Sequence, residues 1–581
     1  MAEKLKPRIY TVATAHLDTS WNWPLETTIK EYIPKTLKEN FKLFEKYPEY
    51  KFSFEGSYRY ELIKEYYPED FERLKEYINK GRWFVTGSCY ENGDVNIPSP
   101  EALFRNILYG NNYFKNNFGK KSVDIFLPDC FGFGYALPSI AHHAGLKGFT
   151  TQKLVWSSAY GIPFDIGKWY GPDGKFIYAS LDAQGYTNAF VSARNSYGAR
   201  YKLCENLRKY DLPFTYKFHG VGDRGGAPPE SSVRAVCKDI RKNHKSKIDV
   251  LSAPADQIFR DIDTLLTEKQ KYSLPSWRGE LVSTDHGVGS YTSRAIGKRW
   301  NRRGEQLADA AERFSAAAMS LLGREYPAVK LERAWKRLIA HHFHDDITGT
   351  SLNVCYQRNW NDYILSLNEL SAEYEGAVKA LARHIDTSFC QGVAVIAANP
   401  NQTDGERYYC VSARIPLSDN VKHIRVFDIE GKEYPAQINH REKGFAEVAF
   451  AAALPSVGLK AFDIRPSDEP CGIKSELKVG KDLLENEKYI VRIDEAGDIR
   501  SVYDKEIGRE LLSSPVRMAE LNYTGSLQYP AWELDYNDVT APPREYAANP
   551  AIEIIENGPA RVAIKIRRKS SKSIYTQIIS L

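Results

Sequence analysis

No stretch of this 581-residue chain offers the roughly 18 consecutive apolar residues that a membrane-spanning helix requires, so a helical membrane protein is not expected. A secretion signal is missing too, because Glu3, Lys4, Lys6, Pro7 and Arg8 lead only into a short, strand-like apolar run. The eight cysteines (89, 130, 204, 237, 355, 390, 410 and 471) lie far apart, with no C-x-x-C among them. Scattered thiols point to a reducing compartment rather than a disulfide framework, so a cytoplasmic protein is expected. The glycosylation sequons at Asn401 and Asn522 are then coincidental. Charge of one sign is also lacking: 79 Lys and Arg stand against 74 Asp and Glu, a net +5. With no basic cluster, neither nucleic acid nor an anionic membrane is an expected partner. Internal repeats and low-complexity linkers are absent as well.

What is present is ordinary globular composition, 43% apolar and 26% charged, at a length that calls for several domains. Up to about residue 275, short apolar runs alternate with amphipathic charged stretches. Ile9–Ala15, Lys51–Phe54, Trp83–Thr86, Val123–Leu127, Phe149–Thr151 and Phe214–Val221 read as strands. Phe71–Asn79 and Glu101–Phe118 read as helices between them. That alternation predicts a parallel α/β layer or barrel-like domain over 1–280, with its binding site at the carboxyl ends of the strands. Ala295–Leu322, Leu331–His344 and Asn361–His384 keep helical spacing and predict a helical bundle over 281–388. From 389 to 581, short β-patterned runs such as Val393–Ala397, Tyr408–Ala413, His423–Phe427 and Tyr489–Ile493 predict a β-sandwich. The last runs, Arg561–Ile566 and Ile574–Leu581, are strand-like to the end, as expected of a chain that stops inside this region.

Chemistry concentrates at the strand ends. The first run stops at His16-Leu17-Asp18, and side chains two apart on a strand leave the same face about 6–7 Å apart, able to share one divalent cation. Taken alone, such a pair is more often a surface hydrogen bond than a metal site. Asp129 ends the next such run, ahead of a glycine-rich turn, where a turn or cap aspartate is the competing reading. Asp223 ends Phe214–Val221 and opens a loop with glycines at 220, 222, 225 and 226. Neither a Walker pattern nor G-x-G-x-x-G occurs there. Finally His341-His342-Phe343-His344-Asp345-Asp346 closes a helical pattern, with Gly349 as its stop; His341 and His344 are expected on one helix face. The cluster is metal-like, though a solvated helix end fits that segment nearly as well. Acids converging from separate strand ends, a metal cluster and 13% aromatic content (Trp21 and Trp23 beside the first motif) point to metal-assisted hydrolysis of a polar, uncharged substrate.

These segments, in this order, resemble glycoside hydrolase family 38, the metal-dependent α-mannosidases. His16-Leu17-Asp18-Thr19-Ser20-Trp21 is similar to that family's opening motif, and Gly81 through Glu91-Asn92-Gly93-Asp94 to Glu101 to its second segment. Leu127-Pro128-Asp129-Cys130-Phe131-Gly132 resembles the nucleophile segment, and Gly220-Val221-Gly222-Asp223-Arg224 the acid/base loop. Ser290–Arg294 with Asn301–Arg303 resembles the start of the helical domain, and Phe343–Thr350 the last metal segment. The resemblance implies that His16, Asp18, Asp129 and His344 hold a Zn2+ ion, or another divalent cation such as Co2+ or Ca2+. It makes Asp129 the nucleophile, Asp223 the general acid/base, and Trp21, Arg294 and Asp345 parts of the sugar pocket. It implies retaining hydrolysis of terminal α-linked mannose, a carbohydrate partner, a truncated member of bacterial type, and room for a homo-oligomer. A retaining pair needs carboxyl groups about 5–5.5 Å apart, one ionised and one protonated. Two other classes compete: a metal-dependent sugar deacetylase, which uses its metal to activate water and needs no second carboxylate, and a non-catalytic mannose-binding relative.

Overall fold

The computed structural model describes residues 5–156, 158–182, 185–284, 286–522, 525–526 and 528–581. By its internal contacts the chain gathers into two compact units. One comprises Met1–Ala308, Ala328–Leu370 and Gly525–Asp535; the other comprises Asp309–Pro327, Ser371–Thr524 and Tyr536–Leu581.

The first unit is built on two sheets. In one, β1 (Arg8–Ala15), β2 (Phe52–Glu55), β3 (Trp83–Thr86), β8 (Phe214–Val221) and β9 (Asp249–Ser252) pair in parallel throughout. Strand β1 is central, matched to β8 from Arg8↔Phe214 to Ala15↔Val221. All of Ile9–Ala15 is buried, the signature of a parallel strand covered on both faces, and this is why the segment reads as unbroken apolar sequence. The second sheet runs β10–β6–β7–β5–β4, from Ser276–Arg278, Ile166–Tyr170, Phe176–Ser180, Gly148–Thr150 and Asp124–Phe126. Only β6 and β7 are antiparallel, joined through Gly171-Pro172-Asp173-Gly174. The expected barrel-like layer of parallel strands is therefore carried by two sheets.

Helices cover these sheets with their apolar stripes. In α1 (Ile33–Lys46), Ile33, Leu37, Phe41 and Phe44 recur at helical spacing and are buried, while the lysines between them face water. Helix α2 (Ser57–Tyr66) follows β2 directly. Helix α3 (Pro100–Phe118) starts at the Ser99 side chain, which accepts from the Ala102 amide at 3.3 Å, and stops at Gly119 in the left-handed conformation, φ 64°. The helical middle region consists of α4 (Ala295–Leu322), α5 (Ala328–Ala340) and α6 (Asn353–Ala382).

Beyond residue 392 the described strands form antiparallel sheets only. The widest ladders join Arg407–Pro416 to Phe445–Leu454 and Val562–Ser570 to Ser573–Ser580. Ile424, Val426, Phe450, Phe462 and Ile464 form one core there, and Leu484, Val491, Ile564 and Ile566 another. All eight cysteines are free thiols. Among the described residues, no helix is long and apolar enough to cross a membrane.

Candidate active site

The carboxyl ends of β1 and β8 are laced together beyond the sheet. The His16 amide donates to Val221 at 3.0 Å, the Asp18 amide to Asp223 at 2.8 Å and the Gly225 amide to His16 at 3.1 Å. A Cβ on Gly220 would lie 1.9 Å from the Thr14 carbonyl, so this approach requires glycine. The lacing brings Asp223 beside the H-x-D pair. Asp223 itself has φ 61°, a conformation that a non-glycine residue holds only where its surroundings enforce it.

His344 arrives from the other side of the sequence. Helix α5 ends at Ala340, and His341–Gly349 form turns rather than the expected continuation of the helix. Two contacts draw the chain out of helical register. The loop before α3 captures it through Asp94 N–H to His342 O at 2.8 Å and His344 N–H to Asn92 O at 3.3 Å. The Lys298 ammonium then donates to the carbonyls of Ile347 and Thr348, at 2.9 and 3.2 Å. His341 and His344 consequently part. His341 sits between Asp346 (2.6 Å) and Asp362 (2.9 Å), whereas His344 turns its Nδ1 to the Asn92 carbonyl (3.0 Å) and its Nε2 to the site. Beneath, buried Arg59 of α2 pairs with Glu91 at 2.7 Å and donates to the Leu17 carbonyl at 2.8 Å, tying the second segment to the H-x-D turn.

The donor atoms so gathered suit a divalent cation. His16 Nε2, Asp18 Oδ1 and His344 Nε2 lie within 4.8 Å of one another. All three are buried and in no hydrogen bond, although His16 Nε2 and Asp18 Oδ1 are only 2.9 Å apart. Unpartnered buried polar atoms are costly, and a shared cation satisfies all of them at once. Asp129 Oδ2 stands 3.7 Å from His344 Nε2, on the rim of the same cluster. Outside the donors, the His16 Nδ1 contacts Glu55 at 3.0 Å, the carboxylate–histidine arrangement that orients metal ligands. Burial opposes the charged form of both histidines, but the neighbouring carboxylates outweigh it, raising His16 well above its ordinary value and His344 to about 10. The site thus favours positive charge, whether carried by protons or by a metal.

The two strand-end acids downstream are pushed apart. Burial disfavours the Asp129 carboxylate, but the Lys153 ammonium at 2.7 Å, with His344 behind it, holds it well below the usual carboxylate range. Asp223 has no such cation: burial, then the negative charge of Asp18, raises its pKa, against a smaller pull from His16. The Tyr186 hydroxyl donates to Asp223 at 3.3 Å. Asp345 is also raised, chiefly by burial, and its Oδ1 accepts from the Thr350 hydroxyl at 2.6 Å.

Asp18, Trp21, Asp129, Asp223 and Asp345 line one cavity of about 290 Å3. His16 and His344 lie buried behind its wall. Arg294 does not line the cavity; its guanidinium lies 4.1 Å over the Tyr356 ring and donates to Asn353. Among the further wall residues, none of them foreseen from the sequence, are Lys153, Trp156, Tyr186, His286, Tyr529 and Trp532. The last two come from far along the chain, where the Trp532 carbonyl accepts from the amides of Gly287 (3.1 Å) and Gly289 (2.8 Å).

Comparison with known proteins gives the same frame. The glycosyl hydrolases family 38 N-terminal domain matches residues 6–280, the alpha mannosidase middle domain 288–381, and the glycosyl hydrolases family 38 C-terminal domain 484–581. Alpha-mannosidase G of Dictyostelium discoideum is 27% identical over 590 residues, covering 97% of this chain and 52% of that protein. Alpha-mannosidase 2C1 of Homo sapiens is 29% identical over 350 residues, 60% of this chain and 32% of that one. The chain thus spans about half the length of the first relative and a third of the second. The crystal structure of an alpha-mannosidase from Enterococcus faecalis V583 shares the fold, with TM-score 0.73 at 20% identity over 97% of this chain and 67% of that one. Matched by family models over residues 6–280, 288–381 and 484–581, well over half of its length, the chain belongs to glycosyl hydrolase family 38.

Proposed function

We propose that this chain is a retaining α-mannosidase that removes terminal α-linked mannose. The observation that carries the reading is a pair of acids in one cavity whose pKa values are pushed in opposite directions: Lys153 favours the ionised form of Asp129, while burial and the charge of Asp18 favour the protonated form of Asp223. A double displacement at an anomeric carbon requires that division of labour. The names of the Dictyostelium and human relatives support the mannosidase part of the reading.

In the first step an Asp129 oxygen attacks the anomeric carbon while Asp223 gives its proton to the departing glycosidic oxygen, leaving mannose esterified to Asp129. In the second, Asp223, now ionised, takes a proton from water, the water oxygen attacks the same carbon, and Asp129 is released with configuration retained. His16, Asp18, Asp129 and His344 would hold a divalent ion, with Zn2+ the best match to two imidazoles and carboxylates. When bound, that ion supplies a Lewis acid for the sugar hydroxyls and so fixes the ring. Trp21 offers the ring an apolar face and Asp345 a hydrogen-bonding group.

The test is hydrolysis of an aryl α-mannoside followed by NMR of the first-formed anomer. The α-anomer is expected, with activity lost to chelator and restored by metal. Asp129→Ala is expected to abolish turnover, and Asp223→Ala to cost about 10²–10⁴-fold, the usual worth of a general acid. Full activity in Asp129→Ala, or acetate release from an N-acetylated sugar without glycosidic cleavage, would sink the proposal.

A further inference from the structure

The cavity that holds both acids is small for a ligand site, about 290 Å3 against a usual range of roughly 300–1,000 Å3. A second ring of a substrate is therefore expected towards its open side. One residue there is conspicuous. Trp156 lines the cavity and is 58% exposed, whereas the other aromatic residues of the wall, Trp21, Tyr186, His286, Tyr529 and Trp532, are partly or fully buried. More than half of the Trp156 surface is therefore open.

The ring is nonetheless held firmly. The His286 imidazole stacks against it at 5.1 Å and 30°, and Tyr529 meets it edge-on at 6.3 Å. His286 is fixed in turn by Tyr529 at 4.8 Å and by Glu533 at 3.5 Å. The Lys153 ammonium, the same group that pairs with Asp129, lies over the ring, 4.9 Å from its centroid. A buttressed, largely exposed aromatic ring, linked to Asp129 through the Lys153 ammonium, is a preorganised surface for a sugar ring. A pyranose presents such a surface in its patch of C–H groups, whose burial against indole removes apolar area from water on both partners.

We propose that Trp156 is the stacking platform for the second sugar ring of the substrate, so that the site favours a dimannoside over a mannoside with a small leaving group. This rests on the mannosidase reading above and deepens it. Trp156 acts here as a binding residue for the leaving group and takes no part in bond making.

The test separates the two claims by measuring binding as well as turnover. In the full chain carrying Asp223→Asn, calorimetry is run with an α-linked dimannoside and with methyl α-mannoside. The dimannoside is expected to bind on the order of ten-fold more tightly, the scale of one good aromatic contact. Adding Trp156→Ala should erase that advantage, and Trp156→Phe should keep most of it. The methyl mannoside titration reports whether each variant still folds a competent cavity. An advantage that survives Trp156→Ala, or no advantage in the Asp223→Asn parent, overturns the platform. If the intact enzyme cleaves neither mannoside but binding follows the expected pattern, the platform stands and the proposed reaction falls. If neither ligand binds, both fall.

Discussion

Glu55 offers the sharpest test of the metal site, because it touches a proposed ligand without being one. It is the last residue of β2, 1% exposed, and its Oε1 takes both the His16 Nδ1 at 3.0 Å and the Asn92 amide at 3.3 Å. With Nδ1–H directed at a carboxylate, His16 presents the lone pair of Nε2 to Asp18 and His344, which is the tautomer a metal needs. Loss of such an outer partner typically costs 10–100-fold in metal affinity, or about 1.4–2.7 kcal/mol at about 1.4 kcal/mol per decade. Glu55→Gln keeps an oxygen acceptor near Nδ1 and removes only the charge, so it belongs at the low end, about ten-fold. Glu55→Leu also leaves the His16 N–H and the Asn92 amide without partners in a buried site, and it belongs at the high end, about 100-fold. Competition against a chromophoric chelator, with Zn2+ as the ion, measures both directly. Because the readout is binding, it does not depend on any assumption about substrate. The order wild type, Gln, Leu is the expected result. Unchanged affinity in Glu55→Leu would refute the reasoning, since it would mean that His16 is either held by something else or is not a ligand.

Three further outcomes follow from the same geometry. Arg59→Met breaks a fully buried pair with Glu91 and frees the Leu17 carbonyl, so the unfolding transition of the first unit should lose about 3–5 kcal/mol in urea, whereas a loss below about 1 kcal/mol would show that the pair is idle. Gly110→Ala places a Cβ 2.2 Å from the Ser88 carbonyl oxygen and 2.6 Å from the Tyr90 amide nitrogen, which are backbone atoms that cannot rotate away. It should cost about 1–3 kcal/mol and shift the loop that captures His344, lowering metal affinity in the same chelator assay. The pH profile of kcat/KM should fall on the alkaline side as Asp223 loses its proton, at a pH above the ordinary carboxylate range. The Tyr186 hydroxyl stabilises the ionised form of Asp223, so Tyr186→Phe should move that limb to higher pH; a move to lower pH contradicts the assignment of Asp223 as the acid.

How much of this was legible in the sequence depends on whether a residue's role is set by its own strand or by another part of the chain. His16, Asp18, Asp129 and Asp223 each stand just past an apolar run that is buried on both sides in a parallel sheet, and such runs announce themselves. The same rule, applied evenly, reaches two residues that were passed over. Glu55 closes β2, and Lys153 lies three residues beyond β5. They were missed because an acid after a short run reads as a cap and a lysine reads as solvated surface. Strands β6 and β7 carried a usable signal as well, in the turn Gly171-Pro172-Asp173-Gly174 between two apolar runs.

Other features had no local signal to read. Helical spacing continues through His341 and His344, but the hydrogen bonds that join His342 and His344 to the loop at Asn92–Asp94, with those from Lys298, take over where the helix ends at Ala340. Sequence periodicity registers which faces are apolar; it cannot register a backbone carbonyl captured by a loop that lies some 250 residues away (Asp94 to His342). Tyr529 and Trp532 are the extreme case. Nothing around them marks a sugar site, and they are held at the cavity by the Trp532 carbonyl, which accepts from the amides of Gly287 and Gly289, at a place where a Cβ on Gly289 would meet the Glu533 carbonyl oxygen at 2.7 Å. The floor of the cavity is thus written in strand ends that any reading of period and punctuation can find, while its mouth is assembled from turns whose meaning exists only once the chain has folded back on itself. Variation at residues 156, 286, 529 and 532 therefore acts first at the mouth, and Trp156 communicates with the acids through the Lys153 ammonium that it shares with Asp129.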